Sequence, residues 1–302
     1  MIRQIDPKSL ALPQLHKFIL HSVAPRPIAF ASTVDKDGNP NLSPFSFFNA
    51  FGVNPTTLIF SPSRRGRDNT TKHTYENIRQ VPEVVINTVN YEMVHQASLA
   101  SCEYPKGVNE FIKAGFTPLP SETIRPFRVK ESPVQFECAV REVIETGTEG
   151  GAANLVVCEI NMIHVHEEIL GENNLPDQQK IKLVGRMGGN DYVKAFGDSL
   201  FEVPKPLLDT GIGIDRLPEK IRLSKCLTGN NLGQLGNMNA FPSSEHVQDI
   251  MRHPEVKNLL QNLKDDPITL EQELQLLGKK WLDDGRIKEA FAVLMIDTGK
   301  SG

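Results

Sequence analysis

Turn chemistry set between short β-favouring runs limits what the first two thirds of this chain can become. Residues 28–34 are apolar and end at Asp35-Lys-Asp-Gly-Asn39. Gly accepts a positive φ, so Asp37-Gly38 between two such runs predicts a hairpin. The partner run, residues 41–53, is rich in Phe and Ser, and residues 57–60 follow as another strand. Residues 84–89, 134–144 and 154–165 read as further strands, with Thr146-Gly-Thr-Glu-Gly-Gly151 turning between the last two. Helical pieces interrupt the series at 74–80, 91–101 and 108–114. Antiparallel hairpins with a few inserted helices predict a mainly β fold, a small barrel with crossovers rather than a doubly wound parallel sheet.

Near residue 200 the composition changes. All four Tyr and most of the Phe come before it, whereas the charge balance does not shift. Glu202-Val-Pro-Lys-Pro206 sits at the change and reads as a linker or an extended crossing segment. Further on, Pro254 suits a first helical turn, with Val256, Leu259, Leu260 and Leu263 at helical spacing. Thr269 with Gln272 predicts a capping box, ahead of an apolar stripe of Leu270, Leu274, Leu277 and Trp281. Residues 287–295 continue the helical tendency. The expected organisation is a domain over 1–200 and a C-terminal, mostly helical extension over 201–302.

The 302 residues suffice for a sizeable core without staples. A formal charge of −4, from 33 basic and 37 acidic residues, argues against a chain built to grip a nucleic-acid backbone. No apolar run approaches the ~18–20 residues of a membrane span; the richest, residues 155–163, is broken by Glu159 and Asn161. The four cysteines are scattered, with no CxxC pair, which favours a reduced, cytoplasmic chain.

The usual nucleotide and hydrolase fingerprints (GxGxxG after a strand, GxxxxGK[ST], GxSxG) are missing. Gly211-Ile-Gly213 has Arg216 in the third glycine's place and reads as a turn. His164 and His166 share one face of a predicted strand; they would suit a shared metal only with a third ligand, so structural roles are the better reading. Three clusters lie within residues 25–77. Pro25-Arg-Pro leads an apolar strand to Ser32-Thr33. Asn41-Leu-Ser-Pro-Phe-Ser-Phe-Phe-Asn-Ala50 alternates small hydroxyl and aromatic side chains; it suits either a flat, polar-edged ring system or an aromatic-rich core. Ser61-Pro-Ser-Arg-Arg-Gly-Arg67, then Thr70-Thr-Lys-His-Thr74 at a helix start, suits either a phosphate or a solvated basic turn.

Together, PRPIAFASTVDKDGNPNLSPFSFFNAF (25–51), the 61–77 segment, VKESPVQFECAVREVIE (129–145) and Leu183-Val-Gly-Arg-Met-Gly-Gly-Asn-Asp-Tyr192 are specific. With them the sequence resembles the flavin reductase-like FMN-binding split-barrel family, of the nitrilotriacetate monooxygenase component B type, over roughly residues 10–197. The resemblance implies a six-stranded antiparallel split β-barrel, a homodimer, and FMN near the subunit interface. It assigns Ser32 and Thr33 to the ribityl chain or phosphate. Ser46, Phe47 and Asn49 fall along the isoalloxazine. Ser61, Arg67, Lys72 and Thr74 fall at the phosphate, with Arg186 a later contributor across the dimer. No catalytic side chain is implied, because hydride passes between NAD(P)H and the flavin. The implied function is NAD(P)H:flavin oxidoreduction supplying a partner flavin-dependent monooxygenase. A non-catalytic FMN carrier or sensor, and a flavoenzyme with its own organic substrate, are the alternatives. Lys72-His73-Thr74 stands where relatives read Lys-Asp-Thr; charge and donor are kept, so tight FMN binding is expected.

Overall fold

A computed structural model describes residues 1–205 and 210–299, so Pro206 of the expected linker lies outside the described residues. Two compact units meet in sequence at Phe201 and Glu202. The first is built on a mixed-length antiparallel sheet. Its strands are β1 (Ala29–Val34), β2 (Pro40–Phe45), β3 (Phe48–Val53), β4 (Thr56–Phe60), β5 (Glu83–Asn87), β8 (Val134–Glu145) and β9 (Asn154–Val165). Short ribbons β6 (Pro118–Leu119) with β7 (Arg128–Val129), and β10 (Val184–Arg186) with β11 (Tyr192–Lys194), lie outside it. The helices are α1 (Leu12–Ser22), α2 (His73–Gln80), α3 (Val94–Leu99), α4 (Glu110–Ala114) and α5 (Gln178–Ile181).

The expected six-stranded barrel is corrected here. The main sheet has seven strands in the order β2-β1-β5-β8-β9-β4-β3 and is not closed. The extra strand arises because residues 41–53 do not run straight. The segment breaks at Ser46-Phe47, and its halves take opposite edges of the sheet, β2 beside β1 and β3 beside β4. Two consecutive strands at opposite edges oblige the sheet to curl, leaving the split at that corner.

The β1–β2 hairpin forms as its turn residues dictate. Gly38 has φ +87°, and the Asp35 carboxylate accepts the Asp37 and Asn39 N–H groups, each at 2.9 Å. Strand β1 is buried at every position, so its alternating side chains feed two cores. Ala29 and Ala31 join Phe45, Phe60, Ile86, Cys138 and Cys158 on one face. Ile28 and Phe30 join Leu42, Met93 and Phe111 on the other. Burial pushes the Cys138 thiol up to about 12, in keeping with a packing role. His164 Nε2 lies 2.7 Å from the buried Glu137 Oε1, while His166 faces the exposed Glu168 at 3.8 Å. The two histidines thus have separate carboxylate partners.

The second unit comprises α6 (Glu219–Arg222), α7 (Gly229–Gly236), α8 (Ser244–Ile250), α9 (Pro254–Asn262), α10 (Pro267–Asp283) and α11 (Ile287–Leu294). Gly211-Ile-Gly213, read as a turn, instead runs beside the end of α7: the Ile212 and Gly213 N–H groups donate to the Met238 and Gly236 carbonyls at 2.8 and 2.9 Å, and Gly213, at φ +83°, leads into a 3-10 turn at Ile214–Arg216. The cap of α10 differs from expectation. Asp266, not Thr269, is the N-cap; its carboxylate accepts the Thr269 N–H at 3.1 Å and hydroxyl at 2.6 Å. A capping box does exist at α7, between Thr228 and Asn231. Leu270, Leu274, Leu277 and Trp281 are buried as one stripe with α11. Gly278 allows that packing, since a Cβ there would fall 2.8 Å from the Leu294 side chain. Trp281 is the sole Trp and is fully buried, so its fluorescence reports on this unit alone. Leu274→Ala should lower the stability of the unit by about 2–5 kcal/mol, read as an earlier urea midpoint of Trp281 fluorescence.

Candidate functional site

A cavity of about 480 Å³ opens at the split, lined by α1, the β2–β3 corner, the 61–72 loop, Glu103 and Arg186. Its frame is Arg26, which is 5% exposed. Its guanidinium donates to the Leu20 and Val23 carbonyls at the end of α1 (2.7 and 2.5 Å). It also donates to the Met187 carbonyl at 2.8 Å and to Ser46 Oγ at 3.3 Å. Residue 26 further exchanges two backbone bonds with Arg186, of 3.0 and 2.8 Å. One side chain therefore holds three remote segments around the corner. Burial, reinforced by the Arg186 charge, lowers its pKa, a cost that the four acceptors offset. Gly188 completes the contact, because a Cβ there would meet the His21 ring at 2.4 Å.

At the corner, Phe47 is 39% exposed and edge-on to His16, with ring centroids 6.5 Å apart. With Pro44 and Phe45 it forms the apolar wall of the cleft. The adjoining loop is stiffened by its own bonds. Ser61 N–H donates to the Phe47 carbonyl at 2.9 Å, and Ser61 Oγ lies 3.1 Å from Ser63 Oγ and accepts the Asn154 N–H. Arg64 spans the loop to Asn69 Oδ1 and its carbonyl (2.7 and 2.8 Å), with Asn69 at φ +58°. Arg65, Arg67 and Lys72 are left on the cleft, and all three converge on Glu103. Arg65 Nε is 3.1 Å and Lys72 Nζ 3.7 Å from its Oε1, and Arg67 Nη2 contacts its Oε2. Burial, then the Arg65 charge, lowers the Lys72 pKa, with Glu103 pulling the other way.

Of the residues expected at a ligand, Ser46, Phe47, Ser61, Arg67, Lys72 and Arg186 line this one cleft. Arg186 approaches from the chain's own β10, its guanidinium 4.7 Å over the Tyr192 ring. The other four lie elsewhere. Ser32 and Thr33 are fully buried in β1, and Asn49 is exposed on β3 with its carbonyl oxygen on the Ala50 N–H. Thr74 Oγ1 turns inward to Asn41 Oδ1 at 2.8 Å, and Asn77 Nδ2 donates to Thr33 Oγ1 at 3.2 Å. Thr33 and Thr74 thus belong to the polar seam that docks α2 on the sheet, which Glu110 extends through Asn41 at 3.0 Å. Sequence reasoning passed over Arg26, Glu103 and the whole of α1. Arg26 lay inside a quoted motif, and α1 carried its own signal in Leu15, Phe18 and Ile19 at helical spacing. Glu103 carried none.

An apolar wall joined to a cationic, hydroxyl-bearing end fits a planar ring bearing a phosphate. Comparison with known proteins gives the family. Residues 21–182 match the model of the flavin reductase like domain. An uncharacterized Aquifex aeolicus protein is 39% identical over 189 residues, 63% of this chain and 94% of its own length. Nitrilotriacetate monooxygenase component B from Bacillus cereus superposes with a TM-score of 0.63 at 27% identity, over 67% of this chain and 99% of that one. Pseudomonas fluorescens 2-nitrobenzoate 2-nitroreductase NbaA gives 0.60 at 26%, over 69% and 100%. The second unit lies beyond the matched domain.

The loop that aims Arg67 is held by Asp68, whose carboxylate accepts the Thr70 hydroxyl (2.7 Å) and N–H (3.0 Å) and pairs with Arg67 at 3.1 Å. These, in that order, lower its pKa from 3.8 to about 2. A depressed folded-state pKa means its contribution is complete above pH ~4 and is lost as pH falls through about 2. A carboxyl NMR titration of Asp68 should show that midpoint, and Thr70→Ala should move it toward the ordinary value.

Proposed function

The chain belongs to the flavin reductase-like domain family, and from that premise we propose that it is a homodimeric NAD(P)H:FMN oxidoreductase handing reduced flavin to a partner monooxygenase in the cytoplasm. The observation that carries this reading is the cleft, where Pro44, Phe45 and Phe47 adjoin Ser63, Arg65, Arg67 and Lys72. Bound FMN would supply the hydride acceptor and hold the two electrons. The chain's own task is placement. Phe47 offers a ring face and keeps water from one side, while Ser46, already held by Arg26, presents a hydroxyl at the ring edge. Arg65, Arg67 and Lys72 give the phosphate charge and donors, and the Ser61–Ser63 pair fixes the loop that carries them.

The homodimer is supported by apolar surface beside the cleft. Phe18 of α1, Val23 just after it, and Phe51 and Val53 of the edge strand β3 are 50%, 60%, 65% and 90% exposed. An uncovered apolar edge strand is a surface that a second chain would bury. The monooxygenase handover draws support from the Bacillus cereus neighbour, itself a monooxygenase component. The Pseudomonas fluorescens nitroreductase favours a second reading, in which the bound flavin reduces a nitroaromatic compound directly.

Anaerobic stopped-flow mixing of FMN-loaded protein with NADH or NADPH should bleach the flavin band faster than free FMN. Bleaching no faster than that control would leave a carrier or sensor. Re-oxidation of the bleached protein by 2-nitrobenzoate would select the second reading. Arg67→Ala combined with Lys72→Ala should weaken FMN about tenfold in a fluorescence titration against the wild type; a double variant of unchanged affinity would move the phosphate site elsewhere.

A further inference from the structure

The six cations lining the cleft are not equally available. Arg26 is committed to backbone carbonyls, Arg64 to Asn69, and Arg186 to the Gly189 carbonyl and the Tyr192 ring. Arg65 is partly committed as well, its Nη1 donating to Thr70 Oγ1 at 3.0 Å and to the Thr71 carbonyl, and Arg67 also pairs with Asp68. Yet these two and Lys72 still direct charge at both oxygens of one carboxylate, Glu103. Three cationic donors around two anionic oxygens is the arrangement a phosphate monoester would take at the same place. Glu103 is moreover weakly tied to the rest of the unit. It sits on the exposed α3–α4 connection, whose backbone bonds are local: Cys102 N–H to Leu99 O at 3.1 Å, Tyr104 N–H to Cys102 O at 2.9 Å, and Val108 N–H to Pro105 O at 3.2 Å. Neighbouring attachments are themselves surface contacts, Lys106 to Glu76 at 3.3 Å and Lys113 over Tyr104 at 5.7 Å. Withdrawal of the carboxylate therefore breaks no backbone ladder.

We propose that Glu103 is an internal substitute for the ligand's phosphate, competing for Arg65, Arg67 and Lys72 so that FMN is exchanged as a substrate rather than held as a permanent group. The proposal rests on the flavin reading of the cleft and adds the residue that sets how long a phosphorylated flavin stays. Its consequence is selective. A flavin without phosphate does not contend with Glu103, so the residue weakens FMN and leaves riboflavin untouched. Exchange suits a protein whose product must leave for a partner, and it makes the tight FMN binding expected from the basic cluster a property of the chain without Glu103.

The test is flavin affinity by fluorescence titration of the full chain, with FMN and riboflavin side by side. Glu103→Gln keeps the size and one acceptor oxygen but removes the charge. It should tighten FMN about fivefold at low salt, the scale of one exposed ion pair, leave riboflavin unchanged, and lose most of the gain at ~0.5 M salt as screening takes over. Glu103→Asp, charged but shorter, should fall between the two. FMN affinity unchanged or weakened in Glu103→Gln, or riboflavin shifting in step with FMN, would overturn the proposal. A wild-type chain that binds neither flavin would overturn the reading of the cleft, and this proposal with it.

Discussion

Everything in the first unit follows from one covalent constraint: two strands consecutive in sequence stand at opposite edges of the same sheet. Only Ser46 and Phe47 separate β2 from β3, so the edges must come within a short span of each other, and the sheet has to curl to allow it. The ladder does not close there, which leaves backbone and side chains at the corner open to a ligand. Arg26 makes the corner rigid by tying it to α1 and to the 183–192 segment, none of which are neighbours in sequence. Its buried charge is tolerable because every contact it makes is an oxygen acceptor. The cleft is thus the gap of the split barrel, walled by what the arginine gathers.

Strands and turns were legible in the sequence because their causes are local. Alternation, Gly38 and the 146–151 turn place β1, β8 and β9 to within a residue or two. The break between β2 and β3 was not legible, since residues 41–53 favour extended structure throughout and the choice of two different partners is made by β1 and β4. The same division runs through the site. Residues joined to a contiguous motif, such as Ser61, Arg67 and Lys72, could be placed by the motif. Thr33 and Thr74 were read as ligand donors, yet the structure engages both with Asn77 and Asn41 inside the fold. A hydroxyl in a motif says nothing of which way its strand or helix faces. The α10 cap shows this on a smaller scale: Asp266 and Thr269 are both good caps, and the helix takes the earlier one, with Pro267 beside it.

The charges of the cleft separate into those that build and those that bind, and solvent exposure marks the difference. Arg26 is buried and spent on carbonyls, so its removal would disturb the fold before it touched a ligand. Arg67 and Lys72 keep 67% and 32% of their side-chain surface exposed, with a carboxylate of 37% exposure as partner. Ion pairs this wet are worth little individually and yield readily to a better anion. Burial, opposed by Arg67, Lys72 and Arg65 in turn, leaves the Glu103 carboxyl below its ordinary range, so at neutral pH it is an anion that must be moved and not merely protonated. A basic cluster left bare would retain any phosphate it met. One supplied with its own counter-ion would bind by difference, and on the proposed reading that difference adjusts flavin exchange without altering the apolar wall at Phe47.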